Sequence, residues 1–235
     1  MPKPNADWFD RLPADRCLAE FSMWSADLCN LTGELARIQP HADMLHIDVA
    51  DGVFAPSFLF FPDLVGSMRV RSSVPIHVHL MVDDAILLSQ IEQFAEAGAD
   101  LISVHAEHRL ASEAVRLIHD RGLLAGAVLR VESPLEVVTP ILADLNIVTL
   151  LGTAIGVKGQ GLSETAAGRI AAMQEMVAEA KAPQRQIVAA DGGIRENTVP
   201  LLVASGAQTV VLGSLAFGAP DLAARINWLH GLNMG

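Results

Sequence analysis

Two histidines and two aspartates are the residues of this sequence best placed, by type and spacing, to do chemistry together. The run Leu45-His46-Ile47-Asp48-Val49 is apolar except at alternate positions. Residues two apart on a strand share a face, so His46 and Asp48 point the same way, into the mouth of whatever the strands enclose. The run Ile76-His77-Val78-His79-Leu80-Met81 repeats the pattern with His79 and, one layer deeper, His77. A third apolar run ends at Asp191-Gly192-Gly193. With these run ends gathered at one mouth, His46, Asp48, His79 and Asp191 make a two-histidine, two-carboxylate site for a divalent cation, with positions left open for a ligand. Each residue alone has a structural explanation: an inward histidine is commonly a hydrogen-bonded core residue, and an Asp before two glycines commonly starts a turn. As a set they are harder to dismiss, because burying two carboxylates is costly without a compensating cation.

Three glycine-rich turns are a second signal. Gly152 to Gln160, Asp191-Gly192-Gly193-Ile194 and Leu212-Gly213-Ser214-Leu215 each follow an apolar run. Glycines there let backbone N–H groups approach a phosphate, often at the start of a short helix; the alternative is an ordinary tight turn.

The elements that must position these residues alternate along the chain. Strand candidates are 17–23, 44–49, 76–82, 101–105, 124–129, 147–151, 186–190 and 209–215. Amphipathic helical patterns lie between them, for example at 85–97, 112–119, 164–180 and 198–204. Gly98, Gly122 and Gly206 stand where helix C-caps belong. Eight such units imply a closed (β/α)8 TIM barrel of the α/β class, with an open doubly wound sheet as the alternative. Residues 1–15 read as an N-terminal extension and 16–235 as one barrel domain.

Composition narrows the partners. The chain has 235 residues, is 51% hydrophobic and carries a net charge of −11. That apolar content fills a core and excludes general disorder. The acid excess argues against nucleic acid or an anionic membrane surface. No stretch has the apolar length of a membrane span or the form of a signal peptide, which implies a cytoplasmic protein. Cys17 and Cys29 read as reduced, mostly buried thiols.

At this point the sequence resembles the ribulose-phosphate 3-epimerase family. The resemblance rests on Ser22-Met23-Trp24-Ser25-Ala26-Asp27-Leu28, His46 to Pro56, His77-Val78-His79-Leu80-Met81-Val82, Ala97-Gly98-Ala99-Asp100, Val104-His105-Ala106-Glu107 and Asp191-Gly192-Gly193-Ile194. It implies a metal-dependent enzyme that inverts one carbon beside the ketone of a phosphorylated sugar, through an enediolate and two bases on opposite faces. His46, Asp48, His79 and Asp191 then match metal ligands, and Asp48 and Asp191 also the two acid/base residues. Ser22 and Met81 match substrate contacts, and Gly192, Gly193, Gly213 and Ser214 the phosphate cradle. A homo-oligomer is implied, as is a Zn, Fe, Mn or Co ion.

The departures fall on the same pocket. In the strand-six loop Gly156, Gly159 and Gln160 keep the family pattern, but Ala154-Ile155 replaces Asn-Pro and Lys158 replaces a glycine. Lys158 puts a cation where the family uses backbone amides, either to hold an anionic group or as a solvated loop residue. Ala50 and Leu151 stand in place of methionines, Val53 of His and Ser57 of Asn. The resemblance makes ribulose 5-phosphate the first substrate to consider, and the departures place an allulose 6-phosphate-like or shorter ketose phosphate next. A decarboxylase of the orotidine-monophosphate type lacks its Asp-x-Lys-x-x-Asp array here. A non-catalytic sugar-phosphate-binding barrel would need no intact four-residue site.

Overall fold

A computed structural model describes residues 2–233. Eight parallel strands close on themselves in sequence order: β1 (Leu18–Ser22), β2 (Met44–Ala50), β3 (Ile76–Met81), β4 (Leu101–His105), β5 (Leu124–Leu129), β6 (Ile147–Leu151), β7 (Ile187–Asp191) and β8 (Thr209–Leu212). Around them run α1 (Leu31–Ile38), α2 (Pro62–Arg69), α3 (Asp84–Ala97), α4 (Ala111–Asp120), α5 (Ala166–Ala180), α6 (Val199–Ala204), α7 (Ser214–Phe217) and α8 (Leu222–His230). The expected closed (β/α)8 barrel is therefore what forms.

Two expectations change. The β5–β6 crossover holds only 3-10 turns, Leu135–Val138 and Leu142–Asp144, where a helix was expected. Pro134 and Pro140 limit backbone hydrogen bonding there. The last strand stops at Leu212, because Gly213 turns the chain and Ser214 opens α7. The glycines at the ends of α3, α4 and the α6 segment adopt φ of 103° (Gly98), 72° (Gly122) and 103° (Gly206), as their C-cap positions require.

Alternation on the strands divides most of the apolar side chains into two bodies, with a small third cluster of Ala50, Ala55 and Met81. Outward residues such as Phe21, Leu45, Ile47, Val78, Leu80, Ile102, Val148 and Val188 pack under the helices. Leu18, Leu101, Ile147 and Ile187 close the lower end of the barrel, where Phe9 of the N-terminal segment packs onto them. Arg185 holds that segment by donating to the carbonyls of Phe9, Leu12 and Pro13 at 3.0, 2.7 and 3.3 Å. Residues preceding β1 thus seal the barrel floor.

Between floor and mouth the interior is polar: Glu20, His46, His77, Ser103, Thr149 and Thr209 are all buried. Register stacks them, with Ser22 beside His46, His46 beside His77, and Asp48 beside His79. Gly126 leaves room in this layer, since a Cβ there would lie 2.0 Å from Ser103 Oγ. Cys17 is buried as expected, but Cys29 is exposed, because it lies in the loop ahead of α1. The apolar segment after β2 divides: Phe60 is buried, while Phe58 and Phe61 are 85% and 57% exposed.

Candidate active site

The barrel mouth opens into a cavity of about 340 Å3 lined by Asp48, His79 and Asp191 at its floor. β2 and β3 supply His46, Asp48 and His79, and β7 ends on Asp191. One donor atom from each of these four residues lies within 4.8 Å of the other three. His46 departs slightly from expectation. It is fully buried and pairs with His77, so it reaches the cluster from one layer below the mouth.

The donors fit a cation. His46 Nε2 and His79 Nδ1 are buried without a hydrogen-bond partner. They stand 3.2 and 3.5 Å from Asp48 Oδ1. Ligand atoms about 2.0–2.2 Å from one ion are separated by roughly 3 Å, so this spacing is that of a coordination shell. Nitrogen and carboxylate donors together suit a divalent transition metal.

Electrostatics separate the two carboxylates in the metal-free protein. Burial works to raise both. For Asp48 the adjacent His46 and His79 more than reverse that effect and hold its carboxyl well below the usual range. Asp191 is pushed up to about 7 by burial, with His46 opposing and the charges of Asp48 and Glu20 assisting. His46 titrates well above its ordinary value despite burial, because Asp48 and Glu20 flank it. Burial pulls His79 down. Ser22 Oγ donates to Asp48 Oδ2 at 2.8 Å, leaving Oδ1 facing the histidines.

The remaining sequence-derived site residues also gather around the cavity: Ser22 and Met81 from β1 and β3, Gly156, Lys158 and Gly159 from the β6 loop, Gly192 and Gly193 after β7, and Gly213 and Ser214 after β8. Gly192 and Gly193 have φ of 84° and 70°, and their missing Cβ atoms would lie 2.3 Å from Thr153 Oγ1 and 2.8 Å from Leu162 Cα. No side chain fits there, so their backbone forms the cavity wall. Lys158 is not a free surface lysine: its Nζ donates to the Trp24 carbonyl at 2.6 Å and lies 4.5 Å from the centre of the Trp24 ring. Arg195 braces the same loop by donating to the carbonyls of Gly159 and Gln160 at 3.2 and 2.9 Å.

Sequence reasoning assigned no role to Glu20, His105 or Glu107. Glu20 Oε1 accepts from His46 Nδ1 at 2.7 Å and also bonds His77 Nδ1. His105 meets His79 through their Nε2 atoms at 3.0 Å, and Glu107 through Nδ1 at 3.1 Å. The available signal was parity: Glu20 shares a face with Ser22, and His105 sits at a strand end.

Fold and site together define a (β/α)8 barrel with a two-histidine, two-aspartate cluster able to hold a metal ion beneath a glycine-walled pocket. Residues 18–217 match the Ribulose-phosphate 3 epimerase family, and the chain belongs to it. It is 34% identical over 216 residues to the ribulose-phosphate 3-epimerase of Bacillus subtilis, covering 89% of this chain and 96% of that one. It is 35% identical to ribulose-phosphate 3-epimerase 1 of Cupriavidus necator, over 85% and 84% of the two chains. Among solved structures, 3-hexulose-6-phosphate synthase of Salmonella typhimurium shares the fold at TM-score 0.63 and 15% identity, covering 92% of this chain and 97% of that one. Orotidine 5'-phosphate decarboxylase of Pyrococcus horikoshii does so at 0.62 and 14%, over 93% and 100%. At that identity the likeness is one of fold alone.

Proposed function

We propose that this protein is a metal-dependent epimerase that inverts C3 of a ketose phosphate, with ribulose 5-phosphate and xylulose 5-phosphate as its substrate pair. The observation that carries the reading is the convergence of Asp48 and Asp191, from different strands, on one cluster with His46 and His79. Inversion requires a proton to leave one face of the carbon and another to arrive on the opposite face. Asp48 and Asp191 are the two carboxylates at the cavity floor that can serve those faces. His46, Asp48, His79 and Asp191 would hold a divalent cation, which would supply Lewis-acid stabilisation of the charge that develops on the ketone. Ser22 keeps Asp48 oriented through its hydrogen bond. Backbone amides around Gly192, Gly193, Gly213 and Ser214 offer donors for the phosphate, so an acidic chain needs few basic residues to bind it.

Lys158 at the cavity wall favours one broader reading, in which a longer ketose phosphate reaches this amine. The exposed Phe58 and Phe61 support a homo-oligomer. Membership in a family of metabolic enzymes supports a cytoplasmic location; no described helix is long and apolar enough to cross a membrane.

The test is turnover of a panel of ketose phosphates by the wild type, Asp48→Asn and Asp191→Asn. Each substitution removes one proton-transfer group and is expected to lower the rate by about 10²–10⁴ or more. Full activity in either variant contradicts the two-base scheme.

A further inference from the structure

The two ligand histidines face the cluster through different ring nitrogens: His46 through Nε2 and His79 through Nδ1. A neutral imidazole has one protonated nitrogen and one free lone pair, so the two rings must be opposite tautomers to ligate together. Nothing in the rings themselves imposes this difference. Their surroundings do.

We infer that Glu20 and Glu107 are positioning residues that set these opposite tautomers, Glu20 directly and Glu107 through His105. This inference rests on the metal site of the proposed function. On the first arm, Glu20 Oε1 lies 2.7 Å from His46 Nδ1. A carboxylate only accepts, so Nδ1 carries a proton whatever the charge of the ring, and Nε2 is the nitrogen left to give up its proton to an ion. On the second arm, the partner of His79 is another imidazole, 3.0 Å away between Nε2 atoms, and one of the two must donate. Glu107 Oε2 decides which. It lies 3.1 Å from His105 Nδ1 and draws the proton of that ring there. His105 Nε2 must then accept from His79 Nε2–H, which frees His79 Nδ1 for the cluster.

Glu107 is itself held in its accepting role. Its Oε1 receives the Arg130 N–H at 2.9 Å and the Ser133 hydroxyl at 2.5 Å, so Oε2 is left for His105. The backbone of His105 is fixed as well: its N–H donates to His108 Nδ1 at 3.1 Å, and His108 Nε2 donates to the Val82 carbonyl at 2.8 Å. His105 and His79 are buried, which leaves water little access to satisfy a wrong tautomer.

The arrangement makes an unusual prediction for Glu107→Gln. Arg130 N–H and Ser133 O–H require an oxygen, so the new amide turns its NH₂ toward His105 Nδ1. That ring must then accept at Nδ1 and carry its proton on Nε2, where it meets the proton of His79. His79 is driven to the Nδ1–H tautomer and loses its lone pair toward the ion. Loss of such outer partners typically costs about 10–100-fold in metal affinity.

The experiment measures Zn²⁺ affinity by competition with a chromophoric chelator, alongside histidine tautomers by ¹⁵N–¹H correlation NMR on the metal-free protein. Wild type is expected to bind Zn²⁺ and to show His105 protonated at Nδ1 and His79 at Nε2. Glu107→Gln is expected to invert both signatures and weaken Zn²⁺ by about 10–100-fold. A second pair covers the event that this variant does not fold: His105→Gln, whose carbonyl can accept from His79, is expected to bind Zn²⁺ more tightly than His105→Leu, which has no acceptor. On the direct arm, Glu20→Leu is expected to weaken Zn²⁺ and to lose the Nδ1–H signature of His46. Wild-type affinity in Glu107→Gln, equal affinities in the His105 pair, or an unchanged His46 signature in Glu20→Leu overturns the inference while leaving the metal site standing. Failure of the wild type to bind Zn²⁺ overturns the metal site as well.

Discussion

At the scale of single residues, the metal-free cluster is an electrostatically strained arrangement that an ion would relieve. Asp191 is the clearest case, since burial pushes its carboxyl up to about 7, with the charges of Asp48 and Glu20 assisting and His46 opposing. A carboxyl whose pKa rises on folding binds protons more tightly in the native state, so its contribution to stability falls as pH climbs from the unfolded value toward the folded one. The metal-free Asp191→Asn variant should therefore be more stable than metal-free wild type at alkaline pH. Its advantage should widen by on the order of 2 kcal/mol between about pH 5 and pH 8. Urea unfolding of both proteins at the two pH values checks this; an advantage that is constant or shrinks with pH refutes the strain. The four cluster residues were legible in the sequence because strand parity and strand ends are local patterns. Glu20, His105 and Glu107 were not legible in the same way. Their meaning depends on which residue of a neighbouring strand lies alongside, and no single strand states its register against the next.

At the scale of elements, the eight strands were readable because parallel strands buried on both faces form near-continuous apolar runs. The β5–β6 crossover was the exception: the count of eight strand–helix units expects a helix there, and Pro134 and Pro140 work against one. The connections at the lower face carry stability, and Arg69 shows how. Fully buried at the end of α2, it pairs with Asp100 and donates to the carbonyls of Gly98, Ser72 and Val74 at 3.0, 3.0 and 3.2 Å. One side chain thereby ties the ends of two helices to the starts of β3 and β4. Arg69→Ala leaves the Asp100 carboxylate and three carbonyls without this partner and should cost about 3–5 kcal/mol. Turnover per folded molecule should hold, because the reactive groups lie at the other end of the strands. A denaturant melt paired with an active-fraction assay would detect either failure: a cost below about 1 kcal/mol, or a drop in kcat of the folded fraction.

At the scale of the whole molecule, a net charge of −11 coexists with a pocket proposed for an anion. The two fit together on the proposed function, in which the acidic residues of the pocket would hold the cation, the glycine turns would offer N–H groups to the phosphate, and Lys158 adds a positive charge at the wall. Binding of the ion to the folded state alone links chemistry to stability. At a free Zn²⁺ concentration of about a hundred times the dissociation constant, the fold should gain about 2.7 kcal/mol. Chelator-stripped and reloaded protein compared by thermal unfolding tests this, and identical transitions would contradict a native metal site. The central claim, exchange of the C3 proton with solvent by way of two carboxylates, is tested most directly by proton NMR of ribulose 5-phosphate with the wild-type enzyme in D₂O. The two-base scheme predicts that xylulose 5-phosphate appears carrying one solvent deuterium, at C3 and nowhere else. Product that retains the original hydrogen at C3, or no conversion by metal-loaded enzyme, would contradict it.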